Sequence, residues 1–286
     1  MYKGRFSMIY HVSYPSGEWT VKGYLGLPPS LPFSAGEVRE QLECRFRASS
    51  LPVTVLAEDV PRRDPPAAQQ RYPALLYCRG GMGSFGRVKT HWIEYFARSG
   101  FVVFAPSYRG NEGGEGRDQF GGDENEDVIA AFRCLQRLPY VQPDRISIMG
   151  FSRGAVNAAQ TAVRIPETYK LVLWSGVSDL AATYEERVDL RKTLKRVVGG
   201  TPAKVPEAYA ARSPIRLAAL FPCPTLVMHG SKDEQVNVHH GLDLFSALRQ
   251  LEKPAELHLY EGCGHLLPSP LHEAAVDRML HWLTFG

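Results

Sequence analysis

The stretch "RISIMGFSRGAVNAAQ", residues 145–160, decides the fold. Ile146 and Ile148 alternate as in a strand, and Ala155, Ala158 and Ala159 suit a helix packed closely on a sheet. Between them, "GFSRG" fits the pattern G-x-S-x-G. Glycines at 150 and 154 remove the β-carbons that would obstruct a sharp turn, so Ser152 can take a strained backbone at the start of a helix. There its Oγ projects above the sheet. The N–H of the next residue, Arg153, points at the oxygen that gains charge when a serine attacks a carbonyl. The competing reading is a serine in an ordinary strand-to-helix turn, which the flanking strand and small-residue helix disfavour.

The same alternation extends on both sides of this corner. From Pro73 onward the chain reads "ALLYCR" then "HWIEYFARSG", "FVVFAP" then "DENEDVIAAFRCLQRL", "RISIM" then "GAVNAAQTAVRI", and "KLVLW" followed by a helical excursion at about 180–219. "TLVMHG", a helix opening at His239 and His240, "AELHLY" and "LHEAAVDRMLHWL" complete it. Repeated strand–helix units with short apolar strands predict a mostly parallel central sheet with helices on both faces. Residues 1–72 predict an antiparallel entry, with extended candidates "EWTVKGYLGL", "QLECRFRA" and "PVTVLAE" and a Pro-rich connector, "PRRDPPAAQQRYP", over 61–73. The expectation is one α/β domain over 1–286, with the catalytic core at 73–286.

In such sheets chemistry sits in the loops after the strands. A serine hydroxyl needs a base and a group to orient that base. "PTLVMHGSKDEQV" supplies Asp233, and "AELHLYEGCGHLLP" supplies His265, each at a strand carboxyl end and in the order acid then histidine. Asp179 in "WSGVSDL" is a rival acid, and Glu234 is adjacent to Asp233. His229, His239 and His240 read as packing or as a solvated helix start. The 239–240 pair is too close in sequence to be called a metal site without further ligands. Cys263 reads as a loop thiol rather than a second nucleophile. A second oxyanion donor is expected from "LLYCRGGMGSFG", with Gly81 leading and Met82 behind it. Met82, Trp174, Tyr184 and Val236 are candidate pocket residues. The glycine-rich "SYRGNEGGEGRDQFGGDENEDV" has neither a GK[ST] ending nor G-x-G-x-x-G, and its Glu112, Glu115, Asp123 and Glu124 would repel phosphate, so it reads as a structural loop. "RVDLRKTLKRVV" (187–198) reads as a solvated basic helix with an apolar stripe of Val188, Leu194 and Val197.

Composition narrows the class. Apolar residues at 44%, charged residues at 22% and a net charge of +3 describe an ordinary globular chain, without the basic excess of a nucleic-acid binder. No apolar run reaches bilayer length and no signal core opens the chain, so the expectation is cytoplasmic, with no membrane partner and with self-association left open. The five cysteines form no CxxC pair, which suggests neither a disulfide framework nor a zinc site.

Taken together, "RGG" (79–81), "YRGNEGGEGRDQFGG" followed by "EDV", "GFSRG", "HGSKDEQV" and "GCGH" resemble the α/β-hydrolase superfamily. Within it they are similar to the catalytic domain of the prolyl oligopeptidase family, from about Pro73 to the end. The resemblance implies an α/β-hydrolase fold, with Ser152 as nucleophile, Asp233 as orienting acid, His265 as base, and the N–H groups of Gly81 and Arg153 facing the oxyanion. It implies no metal or organic cofactor. Two features depart: Arg153 stands where many relatives carry tyrosine, and the 72 residues before Pro73 cannot make the β-propeller that usually precedes this domain and filters peptides by size. The reading at this point is a serine hydrolase acting on small carboxylic esters. A serine peptidase or aminopeptidase on short peptides is the alternative. A non-catalytic binding protein stands third, since it would have been expected to lose a triad member and none is lost.

Overall fold

In the computed structural model, residues 8–57 and 70–285 are described. The elements run β1 (Met8–Ser16), β2 (Trp19–Leu27), α1 (Ala35–Phe46), β3 (Val53–Ala57), β4 (Tyr72–Cys78), α2 (Thr90–Arg98), β5 (Val102–Pro106), α3 (Asn125–Arg137), β6 (Val141–Phe151), α4 (Gly154–Arg164) and β7 (Leu171–Trp174). They continue α5 (Leu180–Glu186), α6 (Arg191–Val198), α7 (Pro206–Ala210), α8 (Pro214–Leu217), β8 (Thr225–Gly230), α9 (His239–Gln250), β9 (Ala255–Tyr260) and α10 (Leu271–Phe285). Among the described residues, no helix is long and apolar enough to cross a membrane. The chain forms two compact units. One comprises the residues up to Arg79 with Gly83–Asp118 and Asp123–Ser147; the other comprises Gly80–Met82, Gln119–Gly122 and everything from Ile148.

The first unit orders its strands β3-β1-β2-β5-β4. The pairs β1–β2, β1–β3 and β2–β5 are antiparallel, and β4–β5 is parallel. This is the antiparallel entry expected from the sequence, but its composition differs. β1 spans "MIYHVSYPS", which the sequence reading passed over because buried residues crowd both faces of the strand and blur the two-residue alternation. "QLECRFRA", expected as a strand, lies largely in helix α1. Ser34 caps that helix in a reciprocal box with Glu37, Val38 and Leu42 bury one face four residues apart, and Arg47 ends it in a left-handed conformation. The cap outweighed the weak strand pattern. Of the Pro-rich connector, residues 61–69 lie outside the described residues, while Tyr72 and Pro73 already belong to β4.

A buried ion pair ties the glycine-rich loop of this unit to its core. Asp127, at the start of α3, accepts from the Arg109 guanidinium at 2.7 Å and from the Arg109 backbone N–H at 2.7 Å, and its side chain is fully buried. Glu112 in the same loop accepts from the Tyr24 hydroxyl at 3.1 Å and bonds Ser107, and Glu115 accepts from the Thr20 N–H at 2.6 Å. These carboxylates are used internally, in line with a structural loop. Removing one partner of a buried pair leaves the other charge uncompensated. Asp127→Ala is therefore expected to lower unfolding stability by about 3–5 kcal/mol, read in urea as a lower midpoint at unchanged slope.

In the second unit the end of β6 and strands β7, β8 and β9 run parallel, with Phe151 opposite Trp174, Trp174 opposite Met228 and Gly230 opposite Tyr260. The backbone continues these rungs past the strand ends: the Ser152 N–H donates to the Trp174 carbonyl at 2.9 Å and the Ser175 N–H to the Met228 carbonyl at 2.7 Å. The first residues after β6 and β7 therefore stay in register with the neighbouring strands, while β8 runs on to Gly230. The basic run at 187–198 forms a short 3-10 turn and then α6, burying Leu194 and Val198 while Val188 stays 68% exposed. Its apolar stripe is thus shifted from the expected one, because the turn at 188–190 resets the helical phase.

Candidate active site

All the candidate residues belong to the second unit. Ser152 has φ +57°, a left-handed backbone that a non-glycine residue rarely adopts and that costs about 1–3 kcal/mol. The turn around it tolerates no extra atoms. A β-carbon on Gly150 would come within 2.5 Å of the Gly154 carbonyl oxygen, and one on Gly80 within 2.9 Å of the Ser152 β-carbon. The Ser152 carbonyl accepts from the N–H groups of Ala155 at 3.1 Å and Val177 at 3.2 Å, which holds the strained residue from the start of α4 and from the loop after β7. Arg153 is the N-cap residue of α4, so its backbone N–H lies at the positive end of that helix.

The loop that follows β4 approaches the serine through Gly80. Gly81 has φ +69°, and its carbonyl accepts from the Arg153 guanidinium at 3.3 Å. The Arg153 side chain is buried and lies over the Phe120 ring at 4.8 Å. Arg153 thus serves twice, by its backbone at the elbow and by its side chain as a brace on the neighbouring loop.

Asp233 and His265 meet. The two come from the loops after β8 and β9, which are joined by a hydrogen bond from the Lys232 N–H to the Cys263 carbonyl at 2.8 Å. His265 Nδ1 donates to Asp233 Oδ2 at 2.8 Å, and the other carboxylate oxygen accepts from the backbone N–H groups of Gln235 and Val236, both at 2.9 Å. Burial pushes the Asp233 carboxyl up, but hydrogen bonds from His229 and His265 outweigh it and hold the group well below the usual carboxylate range. With Nδ1 engaged, His265 keeps Nε2 for proton transfer. Its ring packs against Phe151, the residue before the serine, at 5.0 Å between centroids.

His229 was read from the sequence as a packing residue. Its Nε2 donates to the Val236 carbonyl at 2.9 Å and lies 3.4 Å from Asp233 Oδ2, so it closes a ring around the acid. The signal was available as a histidine four residues before an aspartate across a tight turn, but a single sequence gives no reason to choose it over burial. The rival acid Asp179 is occupied as the N-cap of α5, accepting from the N–H groups of Ala181 and Ala182. Glu234 is exposed and Cys263 is buried in its loop. Glu185 pairs with Arg191 at 2.7 Å.

Of the four candidate pocket residues, three gather. Tyr184 and Val236 belong to one buried apolar cluster with Phe120, Val156 and Val177, and Met82 packs against it. Trp174 lies elsewhere, fully buried and stacked on His272 at 5.5 Å. As the last residue of a central strand it serves the core.

The profile of the prolyl oligopeptidase family matches residues 87–285. A Bacillus subtilis protein described as an uncharacterized peptidase, YtmA, is 45% identical over 219 residues, which is 76% of this chain and 85% of that protein. Dipeptidyl-peptidase 5 of Porphyromonas endodontalis is 25% identical over 76% of this chain, and the match spans 33% of that protein. Among solved structures, Porphyromonas gingivalis dipeptidyl peptidase 4 superposes with a TM-score of 0.71 at 19% identity, covering 98% of this chain and 36% of that one. A puromycin-hydrolyzing peptidase of Mycobacterium tuberculosis gives 0.69 at 24%, covering 95% and 37%. These likenesses confirm the α/β-hydrolase fold; the chain spans about a third of the length of several of the peptidases it matches.

The depressed Asp233 pKa has a testable sign. A carboxyl whose folded value lies below its unfolded one adds stability that is present above about pH 4 and is lost as pH falls toward the folded value. Melting temperatures measured from pH 7 down to pH 3 should therefore fall more steeply for the wild type than for Asp233→Asn, which has no such proton to bind.

Proposed function

We propose, from the premise that this chain belongs to the prolyl oligopeptidase family, that it is a serine peptidase acting on short peptides. The observation that carries the reading is the 2.8 Å bond between the imidazole of His265 and the ionised, buried Asp233, in the same unit as a serine held at φ +57°. The sequence taken alone favoured small esters. Relatives described as peptidases move the reading to amides, which the same residues would cleave.

In this reading Ser152 Oγ attacks the carbonyl while His265 Nε2 takes its proton, and Asp233 holds the imidazole tautomer and stabilises the imidazolium. The N–H groups of Arg153 and Gly81 donate to the oxyanion, with the helix start at α4 adding a favourable field. His265 then returns the proton to the leaving amine, an acyl-enzyme forms on Ser152, and a water activated by His265 releases the acid. The apolar cluster reached by Met82, Tyr184 and Val236 would receive an uncharged side chain on the acyl side. Met82, Val156, Val177 and Val236, in or against this cluster, adjoin elements that this mechanism uses. The two units would then work as one hydrolase domain, since β6 belongs to both and ends at the nucleophile.

The test compares wild type with Ser152→Ala on peptidyl p-nitroanilides carrying apolar residues, alongside p-nitrophenyl esters. Anilide turnover is expected, with kcat falling on the order of 10⁴ to 10⁶ in the variant. Esters cleaved with every anilide silent would make the protein a carboxylesterase. Silence on both classes, with no labelling of Ser152 by a fluorophosphonate, would end the hydrolase reading.

A further inference from the structure

Helix α5 carries Tyr184 into the apolar cluster, yet it spans only Leu180–Glu186 and is too short to hold itself. What holds it is His240, from the first turn of α9. His240 is 1% exposed, and its Nδ1 accepts from the backbone N–H groups of Ser178 and Asp179, both at 3.3 Å, with the Ser178 hydroxyl at 3.2 Å. Its Nε2 lies 3.3 Å from Glu186 Oε2 and 3.4 Å from Thr183 Oγ1.

These contacts fix the tautomer. Two backbone N–H groups aimed at Nδ1 require a lone pair there, so the proton sits on Nε2 and is donated toward Glu186. Thr183 agrees, because its hydroxyl donates to the Asp179 carbonyl at 3.0 Å and turns an oxygen lone pair toward Nε2. Burial lowers the His240 pKa and favours this neutral form. The second oxygen of Glu186 is held by His239 Nε2 at 2.5 Å. One buried imidazole therefore grips the residues leading into α5, its middle and its last residue.

Glu186, His239 and His240 also bring three metal-ligand atoms within 4.8 Å of one another. A metal would have to bind His240 at Nε2, the nitrogen that the two backbone donors oblige to carry the proton. The cluster is better suited to a hydrogen-bonded link than to an ion.

We propose that His240 is a positioning residue for substrate selection: through Asp179 and Glu186 it fixes helix α5, and thereby Tyr184, as a wall of the subsite for an apolar side chain. This rests on the peptidase reading above, with Tyr184 near the acyl side of the substrate. His240 touches none of Ser152, Asp233 or His265, so its effect falls on binding rather than on bond making.

The test uses His240→Asn, which keeps an acceptor near Ser178 but does not reach Glu186, and Glu186→Ala, which changes a one-third-exposed side chain and spares the fold. In both, amide hydrogen exchange over 180–186 should quicken by about tenfold. KM for an anilide with a large apolar side chain should rise by about tenfold relative to one with glycine, with kcat changed less than about twofold. Unaltered exchange in both variants would overturn the proposal. So would a lower melting temperature with KM and kcat both unmoved, which marks a merely structural role. Zinc alone slowing exchange of this helix in wild type but not in Glu186→Ala would overturn it in favour of a metal site. A wild-type protein silent on all substrates would refute the peptidase reading instead, since exchange reports on the link without turnover.

Discussion

A carboxylate with no exposed side-chain surface survives as an anion at Asp233 because both of its oxygens are answered, one by two backbone N–H groups and the other by two imidazoles. Each bond also constrains a donor. Val236 is fixed by its N–H on the acid and its carbonyl on His229, His265 by its Nδ1, and the loops after β8 and β9 by the backbone bond between Lys232 and Cys263. Desolvation makes an unpaired group here costly, so the arrangement is retained whole or lost whole.

The same economy shapes the apolar cluster beside the site. Met82 follows the candidate oxyanion glycine, Val156 lies on the helix after the serine, Val177 donates its N–H to the Ser152 carbonyl, and Val236 donates to the acid. Leu180, Tyr184, Leu194, Val198 and Tyr209 come from the excursion between β7 and β8, as do Ala181, Leu190, Val197, Val205 and Ala208 packed against them. The loops and helix around Ser152 and Asp233 thus supply part of this cluster, and the excursion supplies the larger part.

What was legible in the sequence follows from this division. Ser152, Asp233 and His265 stand out in the sequence because each follows a strand in a turn whose glycines or order constrain the choice, and the structure brings Asp233 and His265 within 2.8 Å. β4, β5, β7 and β8 were legible because burial on both faces makes them nearly continuous apolar runs. β1 and α1 were not: β1 carries a Pro and two Ser among its apolar residues, and α1 is a polar helix whose strongest signal is its cap rather than its period. His229 and His240 read as packing residues, and their hydrogen-bond partners, 4 to 62 positions away, are not revealed by any local pattern. Trp174 reads equally as pocket or core from the sequence, because a strand end faces both the loops and the interior, and in the structure it is buried against His272.

The double service of Arg153 has a mechanical meaning. Its backbone begins α4 and its guanidinium holds the carbonyl of Gly81, so the two groups proposed to face the oxyanion hang from a single side chain. A displacement of the Gly81 loop is felt at the helix start, and a rotation of the helix start is felt in the loop. The Arg153 guanidinium thus couples the Gly81 loop to the start of α4, the two places where N–H groups are proposed to face the oxyanion.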